Sequence, residues 1–224
     1  MPVINTNVNS IVAQNATNKS DRAMTKTMEK LSTGYRINKS GDDAAGLAVS
    51  TKLTAQIRGT NQAARNVSDA IALVQTADGA AKEISAIMQR MRELAVQGAT
   101  ETYSTADLAL MDIEYQQLES EITRIVAQTK WNKMELLDGS GGSGGAGAFI
   151  IQVGSDNAQS VTVSIGNLDI AAGSLGCLSG LDVGTQSNAS SAITNIDGAF
   201  QTLATIRADY GSYMNRLENT LNNA

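Results

Sequence analysis

Apolar residues between Leu53 and Met91 recur in steps of three or four residues. Thr60 and Asp78 occupy two of these positions, and apolar residues occupy the others: Leu53, Ile57, Ala64, Val67, Ile71, Val74, Ala81, Ile84, Met88 and Met91. A seam of this period belongs to one face of a long helix that packs lengthwise against other helices. Pro2 is the only proline, so no proline interrupts such a helix. A helix over residues 44–100 would be about 85 Å long, which predicts a rod-like chain.

A shorter helix is predicted over residues 5–33, before the long one. Its apolar residues keep a loose helical period: Val8, Ile11, Met24, Met28 and Leu31. Asn, Thr and Ser fill many positions between them and favour helix poorly, so this helix needs a packing partner. Gly34 stands where a helix C-terminal glycine belongs. Asp42 offers an N-cap for the long helix, and Asp43 suits its positive end.

Two further helices and a strand pair are predicted downstream. A second seam helix covers residues 105–129, with its apolar positions at Leu108, Met111, Tyr115, Leu118, Ile122 and Ile125. The short link to the long helix makes the two antiparallel neighbours. A Gly/Ser-rich stretch over 139–148 is typical of a flexible linker, whether natural or engineered. Residues 149–154 and 160–165 predict a β-hairpin, and the helical period returns from residue 187.

These segments together predict a mainly α fold, a long antiparallel helical coiled-coil rod with a small β-hairpin region. Aromatic residues are few, and Ala, Leu, Ile, Val and Met fill the seams, as in closely approaching helices. Charge is uneven, because residues 1–58 carry a balance of +4 although the whole chain carries −5. Either the basic and acidic parts form complementary faces, within or between subunits, or they are solvated helix faces that happen to differ.

Several function classes lack the residues that they need. There is no histidine, the commonest general base near neutral pH, and no carboxylate pattern points to catalysis, so neither an enzyme nor a cofactor is predicted. Cys177, the one cysteine, cannot form an internal disulfide or a zinc cluster and is expected to be a small apolar residue near the rod. The pair Asp42 and Asp43 is interpreted as helix capping rather than as a metal site. No apolar run is long enough to span a membrane, and the N-terminus lacks the pattern of a cleaved signal peptide.

Five stretches resemble bacterial flagellins, at both ends of the chain and in the family's order. They are Ile4–Asn7, Leu31–Asn38, Asp42–Ala48, Gln89–Gln97 and Ala208–Thr220. The last stretch is close to the family's pattern A-D-L-G-A-x-x-N-R-L-E-x-T. A generic coiled coil would not reproduce these motifs. The resemblance implies a helical rod with a β-hairpin at its outer end and terminal helices that form the inner tube of a filament.

The resemblance also implies five parts of the chain. Residues 1–43 would be the N-terminal inner-tube helix and its connecting spoke, with the five apolar residues of the first helix packed in the tube. Residues 44–138 would be the N-terminal part of the rod domain, and 139–148 a linker in place of outer domains. Residues 149–186 would be the β-hairpin and loop region, and 187–224 the C-terminal rod helix. The short Gly-rich stretch in place of outer domains is one departure from the family, and the lack of a C-terminal inner-tube helix is another. A smaller departure is the sequence Trp131-Asn132-Lys133, where the family has an aromatic residue followed by Asn-Gly.

The function implied by the resemblance is that of a structural subunit that self-assembles into the flagellar filament for motility. Its expected partners are other copies of the chain, hook-associated and filament-cap proteins, the flagellar export apparatus and host Toll-like receptor 5. Neither nucleic acid nor membrane insertion is expected. The chain would be secreted to the extracellular flagellum without a cleaved signal peptide. Two alternatives stay open: a hook–filament junction protein and a helical adaptor unrelated to motility.

One surface carries the sharpest expectation about function. In flagellins the stretch that matches Gln89–Gln97, which includes Glu93, serves subunit packing along the protofilament and recognition by Toll-like receptor 5. Arg90 and Leu94 match the family's receptor-contact positions, and Glu114 falls by counting on a further acidic position of that surface. An Arg beside an apolar anchor on a rigid helix fits a binding hot spot. The alternative is an ordinary exposed helix face with weak ion pairs.

Overall fold

The computed structural model describes residues 7–142, 147–171 and 173–223 of the chain. Four α-helices dominate these ranges: α1 Val8–Thr33, α2 Ala44–Gly98, α3 Thr105–Gln128 and α4 Gln186–Asn223. The strands form two antiparallel pairs, β1 Lys130–Trp131 with β2 Met134–Glu135, and β3 Ala148–Gln152 with β4 Ser160–Ser164. The predicted mainly α fold with a small hairpin region is therefore confirmed. The part of the first flagellin-like motif before Asn7 lies outside the described residues.

The chain divides into two units, and the boundary falls inside α2. The first unit ends at Ile57 and the second begins at Arg58. No described residue of the first unit is buried, whereas the second unit contains the apolar core. The predicted seam is therefore only partly right, because Leu53 and Ile57 are exposed and burial on α2 begins at Ala63.

The two ends of α1 show why the helix covers these residues. At its start, the Asn7 side chain accepts a hydrogen bond from the Ser10 amide at 3.1 Å. At its end, Gly34 has a φ of 72° and donates its amide to the Lys30 carbonyl. Glycine adopts this left-handed conformation without steric cost, so the predicted end of the helix is confirmed.

The residue that caps α2 differs from the predicted one. Asp43 lies directly before the helix, and its Oδ1 accepts the Gly46 amide at 2.8 Å. Asp42 instead pairs with Lys26 of α1 and accepts the Asn38 amide. The prediction of Asp42 as the N-cap is therefore wrong, because an ion pair within the first unit engages its carboxylate.

The core of the second unit lies between three helices and the hairpin of β3 and β4. Buried residues on the predicted α2 seam are Val67, Val74, Ala81, Ile84, Met88 and Met91. α3 contributes Leu108, Tyr115, Ile122 and Val126, and α4 contributes Ile196, Leu203, Tyr210 and Leu217. Arg92 of α2 bonds Asp197 of α4, and Asp78 of α2 bonds Arg207 of α4. Residue numbers therefore rise along α2 as they fall along α4, which makes these two helices antiparallel.

The β3–β4 hairpin was predicted, but the β1–β2 hairpin was not. In the first, Phe149 pairs with Val163 and Ile151 with Val161. The second joins its two-residue strands through Asn132 and Lys133, whose φ angles are 48° and 68°. Two central residues with positive φ define the tight turn that suits the twist of a hairpin and usually contains Asn-Gly. Lys133 thus takes a conformation that favours glycine.

The Gly-rich stretch is packed closely on its N-terminal side. A Cβ added to Gly141 would lie 2.5 Å from the Glu135 carbonyl oxygen and 2.8 Å from the Phe149 ring. Gly142 forms a parallel bridge with Ala148, the first residue of β3. The sequence predicted a flexible linker here, but residues 139–142 are closely packed. Residues 143–146 of the stretch lie outside the described residues.

Candidate functional site

Arg90 is the centre of a charged cluster on the outer face of α2 and α3. Its Nε and Nη2 donate to Oε1 of Glu114 at 2.9 and 2.8 Å, and its Nη1 donates to Oε2 of Glu93 at 3.0 Å. All three side chains are about half exposed or more. The structure thus brings together the three predicted charged residues, although they come from two different helices.

Hydrogen bonds to Glu114 and Glu93 raise the pKa of Arg90 above its ordinary value. The guanidinium is planar and keeps its charge at any physiological pH, so the two carboxylates fix its orientation. A lysine at this position could not bond both carboxylates in the same fixed geometry. The cluster therefore presents an oriented guanidinium flanked by two carboxylates, a group of one positive and two negative charges.

Leu94 does not belong to this surface, although the sequence predicted it there. Its side chain is 2 % exposed and lies in the core of the second unit. Leu94 follows Met91 by three residues, a helical step that keeps it on the buried face of α2. Gln89, by contrast, is exposed as expected. The surface has Gln89, Arg90, Glu93 and Glu114 but lacks the predicted Leu94 anchor.

Three other large apolar side chains are exposed on the same two helices. Val96 on α2 and Leu110 and Ile113 on α3 are all exposed. Leu110 lies one helical turn before Glu114, and Val96 lines a groove of about 640 Å³ with Gln89 and Glu93 at its edge. The sequence reasoning missed these residues because it followed only the buried seams. Apolar residues at outward positions of a seam helix are the signal that would have found them.

Arg92 forms a second cross-helix pair beside the first. Its Nε donates to Oδ1 of Asp197 on α4 at 2.8 Å. The hydrogen bond from Arg92 holds the pKa of Asp197 below its ordinary range. The sequence reasoning missed the pair, because the two residues are 105 positions apart. The two pairs connect α2 to both neighbouring helices at nearly the same level.

The apolar residues of α1 form two patches, which corrects the predicted arrangement. Val8, Ile11, Met24, Met28 and Leu31 are between 48 % and 85 % exposed. Because α1 is one continuous helix, the 16 residues from Val8 to Met24 turn the side chain by about 160°. The first patch, Val8 and Ile11, therefore lies nearly opposite the second patch, Met24, Met28 and Leu31.

Cys177 and the grouping of the acidic side chains are the remaining features of the described residues. The Cys177 side chain is exposed, not packed as a small apolar residue, and its Sγ lies 3.6 Å from the Asn195 carbonyl oxygen of α4. Among the described residues, no three His, Cys, Asp or Glu side chains are grouped as metal ligands. Across the same ranges, no helix has both the length and the hydropathy to cross a lipid bilayer.

Comparison with known proteins gives a consistent result. A sequence model of the bacterial flagellin N-terminal helical region matches residues 4–141. A flagellin of Halalkalibacterium halodurans is 44 % identical over 198 residues, which cover 88 % of this chain and 71 % of that protein. A flagellar filament core protein of Brachyspira hyodysenteriae is 38 % identical over 225 residues, covering 97 % of this chain and 79 % of that protein.

A solved flagellin structure is also similar to this chain. The crystal structure of Bacillus cereus flagellin aligns with a TM-score of 0.62 at 34 % sequence identity. The alignment covers 72 % of this chain and 89 % of that chain.

Proposed function

The chain belongs to the bacterial flagellin family and is a subunit of the flagellar filament, and we propose that it assembles through α1 and meets other proteins through the Arg90 cluster. The observation that carries the assembly proposal is that α1 has 26 residues and none of them is buried. A helix this rich in Asn, Ser and Thr is marginal in water without packing. Its apolar side chains are exposed in the single subunit and become buried only through contacts with other molecules.

The two patches on α1 favour contacts on two sides of the helix. Val8 and Ile11 would pack against one neighbour, and Met24, Met28 and Leu31 against another. Each large apolar side chain that becomes fully buried contributes about 1.5–3 kcal/mol. Copies of the same chain supply the matching apolar surfaces, so burial on two sides favours a continuous polymer over a closed dimer.

The remaining expected partners follow from the same role. Hook-associated and filament-cap proteins would meet the subunits at the two ends of the filament, and the flagellar export apparatus would export the chain. Flagellin relatives form the extracellular flagellar filament and are structural proteins. The names flagellin and filament core protein favour a filament subunit over a hook–filament junction protein. We therefore propose a structural role rather than an enzymatic one.

Assembly can be tested with one substitution in the second patch. Kosmotropic salts strengthen the burial of apolar surface, so ammonium sulfate should drive the purified chain into fibres visible by electron microscopy. Leu31→Asp should abolish fibres while the circular dichroism of the dilute protein stays helical, because Leu31 is exposed in the subunit. Thr33→Asp is the matched control, since its side chain is exposed and lies about 200° around the helix from Leu31, on the side opposite the second patch. Fibres of normal yield from Leu31→Asp would contradict the proposal.

A second candidate function is recognition by Toll-like receptor 5 through the Arg90 cluster. The oriented guanidinium and the exposed Leu110 and Ile113 of α3, the helix that carries Glu114, support this proposal. Arg90→Ala should weaken receptor binding by about 30-fold in surface plasmon resonance if Arg90 is a hot spot. The melting temperature should hardly change, because exposed ion pairs contribute little to folding.

Arg124→Ala provides the control for this measurement. Arg124 also pairs with a carboxylate on its own helix, Glu121, and its side chain has a similar exposure. It should bind the receptor normally. If Arg90→Ala instead lost several degrees of melting temperature and kept full receptor binding, Arg90 would be a brace between α2 and α3 and not a contact residue.

A further inference from the structure

Four charged side chains join α1 to the link that follows it, residues 34–43. We propose that Lys26 and Glu29 of α1 and Lys39 and Asp42 of the link form an ionic clasp, which folds the link back on one side of α1 and keeps the opposite side open for assembly. The inference about what the clasp is for rests on the proposed function. The clasp itself belongs to the single subunit and can be tested there.

The geometry of the clasp is reciprocal. Lys26 Nζ lies 2.6 Å from Oδ1 of Asp42, and Lys39 Nζ lies 2.6 Å from Oε1 of Glu29. The helix thus supplies a cation and, three residues later, an anion, and the link supplies a cation and an anion at the same spacing. Each charge meets its opposite only when the link lies along α1 in one register, since a slip would bring like charges together.

Asn38 ties both ion pairs to the backbone of the link. Its amide donates to Oδ2 of Asp42, and its Nδ2 donates to Oε1 of Glu29, both at 3.4 Å. The Asp42 side chain is only 11 % exposed. Exposed ion pairs are commonly weak, but pairs that share a network and are shielded from water hold a geometry better.

Neighbouring charges shift the pKa values of Asp42 and Lys39 in the direction that favours their charged forms. Lys26, with help from Lys30, holds the pKa of Asp42 below its ordinary range. The contact with Glu29 raises the pKa of Lys39. Both shifts in pKa favour the charged forms of Asp42 and Lys39, as the clasp requires.

The position of the clasp on α1 decides which patch stays open. Residues two apart on a helix point about 200° from each other, so Lys26 and Glu29 lie opposite Met28 and Leu31. Glu29 is partly buried on the clasp side, whereas Met28 and Leu31 are exposed. The link therefore leaves the second apolar patch uncovered, and the four clasp residues act as positioning residues for assembly.

Hydrogen exchange in the dilute full-length monomer tests the clasp directly. The reporters are the amide of Asn38, which donates to Asp42, and that of Asp42, which donates to the Lys39 carbonyl. Glu29→Lys and Lys39→Glu should each speed exchange at both amides by about tenfold at low salt, because each places two like charges together. The double variant with both substitutions restores opposite charges and should return exchange to the original rate. In the unaltered chain, raising the salt to about 1 M should also speed exchange, since it screens the pairs.

Lys19→Glu is the control, because it makes the same change of charge two turns earlier on α1 and should leave both amides unchanged. Two results would overturn the clasp: no recovery in the double variant, or exchange independent of salt. Filament formation is scored separately on the same proteins. If fibres form but the exchange rate of the double variant does not return to the original value, only the clasp is overturned. If the exchange rate returns fully but no variant forms fibres, the proposed assembly is overturned and the clasp is supported.

Discussion

The tip of the β3–β4 hairpin rests on α2 at a glycine, and this contact gives a sharp prediction. A Cβ added to Gly59 would lie 2.9 Å from the Ser155 Cβ and 3.2 Å from the Ser155 Cα. Both distances are shorter than ordinary carbon contact, and one of the atoms belongs to the backbone. Gly59→Ala must therefore push the tip of the hairpin away from the helix.

Gly79 in the same helix gives a comparison without a steric clash. A Cβ at Gly79 would meet nothing within 4 Å. Replacing an interior helix glycine by alanine stabilises by about 1 kcal/mol, so Gly79→Ala should raise Tm by about 2–4 °C. Gly59→Ala has the same helix gain, but overpacking costs about 1–3 kcal/mol. The net result should be between no gain and a loss of about 2 kcal/mol.

Thermal unfolding by circular dichroism gives the two Tm values, and hydrogen exchange locates the change. The Val153 amide, which donates to the Gln159 carbonyl at the base of the tip, should exchange faster in Gly59→Ala and not in Gly79→Ala. Equal stabilisation by both substitutions, with unchanged exchange at Val153, would refute the reasoning that the tip is seated on Gly59.

Three further predictions concern single residues of the second unit. Lys133→Gly should raise the free energy of unfolding by about 1 kcal/mol in a denaturant titration, because a non-glycine residue is strained at its positive φ, whereas Lys133→Ala should give no such gain. Tyr115→Phe should leave that free energy unchanged or raise it by up to about 1 kcal/mol, since the buried hydroxyl has no hydrogen-bond partner among the described residues; a loss would reveal a partner. Hydrogen bonds from Ser104 lower the pKa of Asp107 at the start of α3, so its contribution is present near pH 7 and is lost as the pH falls below about 4. Asp107→Asn should therefore reduce the fall in Tm between about pH 5 and pH 3, and an unchanged fall would contradict this assignment.

Helix positions and the larger hairpin could be predicted because local signals mark them. The seam and the glycine at position 34 placed α1 and α3 within a few residues of their observed bounds. The β1–β2 hairpin was missed for a physical reason. Its strands have two residues each, too short for an alternating pattern, and the turn at Asn132 and Lys133 lacks the glycine that usually marks it.

Leu94 shows how two kinds of sequence reasoning can disagree. The family resemblance placed it on a contact surface, whereas a step of three from Met91, the last residue of the predicted seam, leads to Leu94 and to the buried face of α2, where the structure has it. The period reflects the angle between side chains on a helix, which any long helix must obey. The α1 patches were mispredicted for a different reason. No large apolar residue stands between Val12 and Met24, so the residues on either side were taken as one stripe although they lie on opposite sides of the helix.

The register of α4 against α2 is the feature that the seams alone could not determine. Sliding one helix by seven residues along the other keeps apolar residues facing apolar residues, so the period allows several registers. Asp78 removes this freedom, because it stands within the α2 seam and its Oδ1 accepts a hydrogen bond from Arg207 Nε at 2.8 Å. A slip of seven residues would bring Phe200 or Met214 to Asp78 and leave its carboxylate without a cation. Leaving a partly buried charge unpaired is costly. The interruption of the apolar seam at Asp78 is therefore what selects one register, and a charged residue at such a step predicts an opposite charge on the facing helix.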